Sequence, residues 1–156
     1  MSQIQDSPRI TPFLWFDSNA EEAVEFYCSI FKNSRRISEL RNPGNAPGPQ
    51  GGILTIEFEL DGARFTSLNG GPHQKFNDAI SIFIRCDSQQ EIDYYWDRLT
   101  EGGAEVACGW LHDKFGLSWQ VAPANIAELV GNKKGMESMM TMKKLDIAAL
   151  ERAGKN

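Results

Sequence analysis

Asp17-Ser18-Asn19-Ala20-Glu21 and Asp87-Ser88-Gln89-Gln90-Glu91 open two parts of this chain in the same way. In each, the serine is placed to cap a helix, and the glutamate three residues on is placed to close a capping box. Each signature follows a short apolar run, Ile10 to Phe16 and Ala79 to Cys86. The two are offset by 70 residues (17 to 87). A second echo, Asp61-Gly62 before Phe65 and Phe115-Gly116 before Trp119, is offset by 54 residues (62 to 116). The repeated unit reads as a strand, a helix, and strands ending in a Gly-turned hairpin. Two such units predict a paired sheet surface around a central cavity.

A chain of 156 residues suits one domain with a full core. Its 41% hydrophobic and 24% charged residues are ordinary for a globular protein. No apolar run approaches the ~20 residues that cross a bilayer. Met1 to Arg9 is polar and lacks an apolar signal core, so neither a membrane span nor a secretory leader is expected. A formal charge of −5, with no basic patch, argues against nucleic acid as a partner. Cys28, Cys86 and Cys108 are odd in number and lack metal-site spacing. They read as reduced thiols in a cytoplasmic protein.

Along the chain, Ile10 to Phe16 reads as a strand and Ala20 to Phe31 as a helix, with Val24, Tyr27, Cys28 and Phe31 on its stripe and Asn33 as its stop. Arg36 to Arg41 reads as a strand. Asn42 to Gly52, rich in Pro and Gly, reads as a mobile loop at the cavity mouth. Ile53 to Leu60 puts Leu54, Ile56, Phe58 and Leu60 on one face and turns at Asp61-Gly62 into Ala63 to Asn69. After Gly70-Gly71-Pro72 the second unit runs from a strand at Ala79 to Cys86 into a helix with Ile92, Tyr95, Trp96 and Leu99 on one stripe. Gly102-Gly103 ends that helix. Strands follow at Glu105 to Trp110 and Leu117 to Ala122. Beyond Pro123 three helices are expected: around Ile126 to Val130, around Met136 to Met142, and from Ile147 to Ala153. A methionine stripe at 136, 139, 140 and 142 reads either as packing, on the sheet or on a second subunit, or as a promiscuous binding surface.

Phe13 to Tyr27 (FLWFDSNAEEAVEFY), Leu68 to Pro72 (LNGGP), Cys108-Gly109-Trp110, Asp113 to Gln120 (DKFGLSWQ) and Met139 to Leu150 (MMTMKKLDIAAL) resemble the PhnB-like branch of the vicinal oxygen chelate superfamily. This is the glyoxalase, bleomycin-resistance and dihydroxybiphenyl dioxygenase group. Members of the branch often carry the label 3-demethylubiquinone-9 3-methyltransferase. The resemblance implies an α+β fold of paired βαβββ modules forming a cupped mixed sheet, followed by a helical C-terminal tail, and usually a dimer. On that basis 1–156 is one glyoxalase-like domain, with modules at about 9–70 and 78–123 and a tail at 124–156.

Relatives that use a divalent metal take one ligand from each of four strands. Carried onto this chain, those seats fall at Thr11, Thr66, Ser81 and Gln120. None is an imidazole, carboxylate or thiol, and hydroxyl and amide oxygens alone hold such ions weakly. No metal and no cofactor is therefore expected. His73 and His112 sit in expected loops and read as solvated.

Strand alternation sorts the remaining side chains. Thr11, Phe13, Trp15, Glu57, Arg64, Thr66, Ser81, Phe83, Arg85, Ser118 and Gln120 share the cavity face if the apolar partners face the helices. Aromatic walls with a few polar groups suit a small molecule. Arg64 and Arg85 suit a carboxylate or phosphate, and Glu57 a general base. Equally, these three charges could pair with one another. Cys108 is a weak nucleophile candidate whose bland reading is a buried core cysteine. Trp110 and Trp119 either pack or stack on a flat ligand.

The resulting expectation is a metal-free small-molecule-binding protein, cytoplasmic and homodimeric, with an unspecified ligand. The alternatives are the methyltransferase of the family label and a metal-dependent lyase or dioxygenase. The Gly44 to Gly52 stretch is broken by prolines and leads into a strand. It does not make the strand–Gly loop–helix of a nucleotide fold.

Overall fold

The computed structural model describes residues 7–155. Met1 to Asp6, part of the segment read as lacking a signal core, lies outside the described residues. The chain divides into two compact units at Lys75 and Phe76. No helix among the described residues is long and apolar enough to cross a membrane.

The first unit holds β1 (Phe13–Phe16), α1 (Ala20–Ile30), β2 (Arg35–Arg41), β3 (Ile53–Leu60) and β4 (Ala63–Asn69). Its sheet has the order β1-β4-β3-β2, with β1 parallel to β4 and the other pairs antiparallel. Alternation along β3 buries Ile56, Phe58 and Leu60 against α1, which contributes Ala20, Ala23, Val24, Tyr27 and Ile30. Tyr27 stacks on Phe58, and Phe58 on Phe65.

The expected capping box of α1 is absent. Its N-cap is Asn19, which makes no side-chain cap bond. The first free N–H, on Ala20, donates instead to Asn69 Oδ1 on β4 at 2.9 Å. The helix start is thus satisfied by the sheet rather than by its own first turn.

The loop from Asn42 to Gly52 has its own scaffold. Asn42 is buried, and its Nδ2 donates to the carbonyls of Ala46, Pro47 and Gly48 at 3.0–3.1 Å. Its Oδ1 accepts from Gly44 N, and its backbone bonds to Gly52 and Gly51. The loop read as mobile is therefore wrapped around one side-chain amide.

The second unit holds β5 (Ile82–Cys86), α2 (Gln89–Thr100), β6 (Ala104–Glu105), β7 (Trp110–His112) and β8 (Ser118–Pro123). The helices α3 (Ile126–Val130), α4 (Lys133–Met140) and α5 (Ile147–Lys155) follow. Its sheet order, β5-β8-β7-β6, repeats that of the first unit, again with one parallel and two antiparallel pairings. Here the serine cap forms: Ser88 Oγ accepts from Glu91 N, and Glu91 Oε2 reaches one residue past the cap to accept from Asp87 N. Ile92, Trp96 and Leu99 of α2 are buried, and the helix packs on β5, β7 and β8.

The strand expected at Glu105 to Trp110 is instead two short strands separated by a turn, with Cys108 at φ +57° and Gly109 at φ +85°. The tail packs on Ala122 through Leu145 and Leu150, with Met139 and Met142 partly buried beside them. Met136 and Met140 stay exposed, so the methionine stripe divides between packing and surface. Met142 lies past the end of α4. Gln89 ties the tail to α2, donating to Leu145 O and accepting from Ile147 N.

Candidate functional site

In each unit one sheet face is left uncovered by that unit's α1 or α2. In the first, strand register aligns Phe13, Thr66, Glu57 and Ser38 in one row. A second row is Trp15, Leu68, Thr55 and Leu40. Phe13 is 59% exposed.

Trp15 is anchored by Nε1, which donates to Gly71 O at 2.9 Å, and its ring lies against Gly70. A Cβ at Gly70 would stand 2.4 Å from Trp15 Cε2. Gly70→Ala should therefore displace the indole and cost about 1–3 kcal/mol. A change in the tryptophan fluorescence spectrum together with a lower urea midpoint would show this; an unchanged spectrum would mean that the ring does not depend on Gly70.

Arg64 does not offer its charge to a ligand. Its Nη1 is 2.9 Å from Glu57 Oε1 and its Nε 3.2 Å from Glu59 Oε1. Arg35 reaches Glu59 as well, at 3.5 Å. Glu57 also accepts from Ser38 Oγ at 3.3 Å. The face thus carries a charge-balanced network, and a carboxylate so engaged is a poor general base. Of the three charges expected either to pair or to act, Glu57 and Arg64 pair.

The second unit's face differs. Register aligns Phe83, Gln120 and Trp110 in one row, and sets Arg85 opposite Ala122 in the next. Gln120 Nε2 donates to Ser81 Oγ at 2.9 Å. Phe83 is 49% exposed. Arg85 is exposed and, among the described residues, makes no ion pair or hydrogen bond.

Trp119 is not part of this face. Strand alternation turns it to the opposite side from Gln120, where it is 1% exposed and donates from Nε1 to Asp113 Oδ2 at 2.8 Å. Asp113 is itself buried, and its Oδ1 accepts from Phe115 N and Leu117 N at 2.8 and 3.1 Å. One carboxylate thus organises the β7–β8 turn and orients the indole.

His112 is not a loop residue. It ends β7, beside Ser118 in register, with Nε2 2.7 Å from Asp78 Oδ1. Ser118 donates its hydroxyl to the same Oδ1. The Ser118 hydroxyl bond, then that of His112, hold the Asp78 carboxyl below the usual carboxylate range. The trio contains the residue types of a nucleophilic triad in the wrong order, because the serine proton points at the carboxylate and not at the imidazole. Asp78 was not singled out by sequence, as no spacing rule links it to residues 34 and 40 positions away. His73 is exposed, outside any strand or helix.

The four metal seats do not suit a divalent ion. Thr11, Thr66, Ser81 and Gln120 supply only neutral oxygens, and Gln120 and Ser81 are bonded to each other. Glu57, the carboxylate in the row of Thr66, is held by Arg64. Among the described residues, no three His, Cys, Asp or Glu side chains group to hold a metal.

Cys108 is half-exposed rather than buried in the core. The core thiol is Cys86, which burial pushes up to about 12, and burial also raises Cys28. All three cysteines are free.

Residues 8–122 match the family model described as 3-demethylubiquinone-9 3-methyltransferase. The solved PhnB protein from Bacillus cereus, a candidate 3-demethylubiquinone-9 3-methyltransferase, is 34% identical. The match covers 75% of this chain and 100% of that one, with a TM-score of 0.68. PA1353 from Pseudomonas aeruginosa is 22% identical over 75% of this chain and 98% of its own, with a TM-score of 0.61. The fosfomycin resistance protein FosX from Listeria monocytogenes, solved with manganese(II) and sulfate, shares the fold at 15% identity. That match covers 80% of this chain and 96% of FosX, with a TM-score of 0.54. Curated proteins offer no match. The repeated sheet order, the match over most of the chain and the Bacillus cereus relative agree: this chain belongs to the 3-demethylubiquinone-9 3-methyltransferase family, the PhnB-like branch of the vicinal oxygen chelate superfamily.

Proposed function

We propose that this protein binds a small organic anion with a flat apolar body, without a metal ion, as a cytoplasmic homodimer. Arg85 carries the reading. It is an exposed guanidinium without a protein partner among the described residues, one row from exposed Phe83 and from Gln120 and Trp110. A guanidinium recognises a carboxylate by paired charge-assisted bonds, and the aromatic side chains give the ligand's body a surface. Phe13, Trp15 and Thr66 offer a comparable, charge-balanced surface on the first unit. Three free cysteines accord with a reducing compartment.

Mass spectrometry of small molecules released from the purified protein, followed by titration with aromatic carboxylates, tests the reading. Arg85→Ala should weaken the best carboxylate at least about tenfold, the loss expected for a bond to a charged group, while Arg64→Ala should do less. Equal affinity in the Arg85→Ala chain would remove the proposal. Sedimentation tests the dimer.

The family description favours a second reading, methyl transfer from S-adenosylmethionine. Against it, the Gly-rich loop turns its Ala46, Pro47 and Gly48 carbonyls onto Asn42 and leads into β3, not into a helix. Heat on titration with S-adenosylmethionine would revive methyl transfer. A stoichiometric divalent ion by elemental analysis would revive metal chemistry.

A further inference from the structure

The methionine-rich tail, which packs on Ala122 at the edge of the face described above, also brings sulfur donors together. Met136 and Met140 stand one turn apart on α4, and are 41% and 62% exposed. Residues at this spacing project from the same side of a helix. Across from Met140 lies Cys108, whose thiol donates to Met140 Sδ at 3.6 Å. The approach is fixed by main chain: Cys108 N donates to Met142 O and Gly109 N to Lys143 O, each at 2.8 Å. The buried side chain of Leu145 packs against Gly109 just beyond. Two segments 32 residues apart are thus clamped so that a thiol faces a thioether at the surface.

We propose that Cys108 and Met140, with Met136 as a third donor, form a binding site for a soft monovalent metal ion of the Cu(I) class. Thiolate and thioether sulfur select such ions, whereas magnesium, calcium and manganese need oxygen. Taking the zinc–thiolate length of about 2.3 Å as a yardstick, two sulfurs 3.6 Å apart meet one ion at an angle of about 100°. Little movement is needed. Zinc is disfavoured, since no group of three His, Cys, Asp or Glu side chains capable of holding a metal forms among the described residues. Binding exchanges one proton for one ion: the thiol proton passes to water, the thiolate takes the metal, and the thioethers donate lone pairs. No electron is transferred. The site is independent of the proposed anion face.

The test is titration of the full chain with Ag(I), followed by native mass spectrometry. It is repeated with Cu(I) under anaerobic conditions against a colorimetric chelator. One equivalent should bind. Cys108→Ser should abolish it, Met140→Leu should weaken it at least about tenfold, and Met136→Leu should weaken it less. Cys28→Ser should bind like the unaltered chain. Met140 is mostly exposed, so the Met140→Leu chain should keep its thermal midpoint, separating lost donation from lost fold. The proposal is overturned if the unaltered chain binds neither ion, if binding survives Cys108→Ser or follows Cys28, or if Met140→Leu binds as tightly as the unaltered chain.

Discussion

Asp113→Ala should destabilise the protein by about 3–5 kcal/mol, out of a total of about 5–15 for a typical chain. The carboxylate accepts bonds from Phe115 N, Leu117 N and Trp119 Nε1 at 2.8 to 3.1 Å. Leu117 and Trp119 are each 1% exposed, so water cannot replace the lost acceptor. An unsatisfied buried donor costs about 1–3 kcal/mol, and here at least two are created in one turn. Asp113→Asn retains one acceptor oxygen and should lose about half as much. Urea midpoints of the three chains provide the check. A loss below about 1 kcal/mol in Asp113→Ala would mean that other groups hold the turn.

Gly103→Ala should rank next, at about 3 kcal/mol, because the clash is with backbone. A Cβ there would stand 2.1 Å from His112 O and 2.7 Å from the Asp113 carbonyl carbon. No rotamer relieves it. The β6–β7 pairing, Ala104 with His112, must open instead. Its neighbour Gly102 is needed for a different reason, its left-handed φ of +75°. Gly102→Ala has only the Lys114 side chain in the way at 3.3 Å, so it should cost about 1–2 kcal/mol. Thermal midpoints should fall in that order; the reverse order would place the constraint in dihedral freedom, not in space.

The repeat was legible because it is written in local chemistry. Strands β3 and β4 begin and end where alternation and the Asp61-Gly62 turn place them. The serine cap on α2 forms because Ser88 and Glu91 lie within one turn of each other. What failed was tertiary. The start of α1 is satisfied by Asn69, 49 residues away, and no local pattern names such a partner. The β6–β7 segment departs from one continuous strand because a two-residue turn at Cys108-Gly109 breaks its alternation, and Cys108 is not a residue that advertises a positive φ.

Alternation sorted Phe13, Thr66 and Glu57 to one face, and register sets them in one row of the first unit's sheet; Phe83 and Gln120 likewise share a row of the second unit's sheet. It could not tell which arginine was spoken for. That depended on Glu59 lying opposite Arg64 across the β3–β4 pair, while Arg85 lies opposite Ala122. Of the two tryptophans expected either to pack or to stack on a ligand, Trp119 packs: strand parity turns it away from Gln120 and it is buried.

The loop wrapped around Asn42 has a consequence for ageing. Spontaneous deamidation needs the next residue's backbone nitrogen to attack the side-chain carbonyl and close a succinimide. The next residue here is Pro43, whose nitrogen is tertiary and cannot do so. The amide that gathers three carbonyls is thereby protected from the slow hydrolysis that would turn it into a repelling acid.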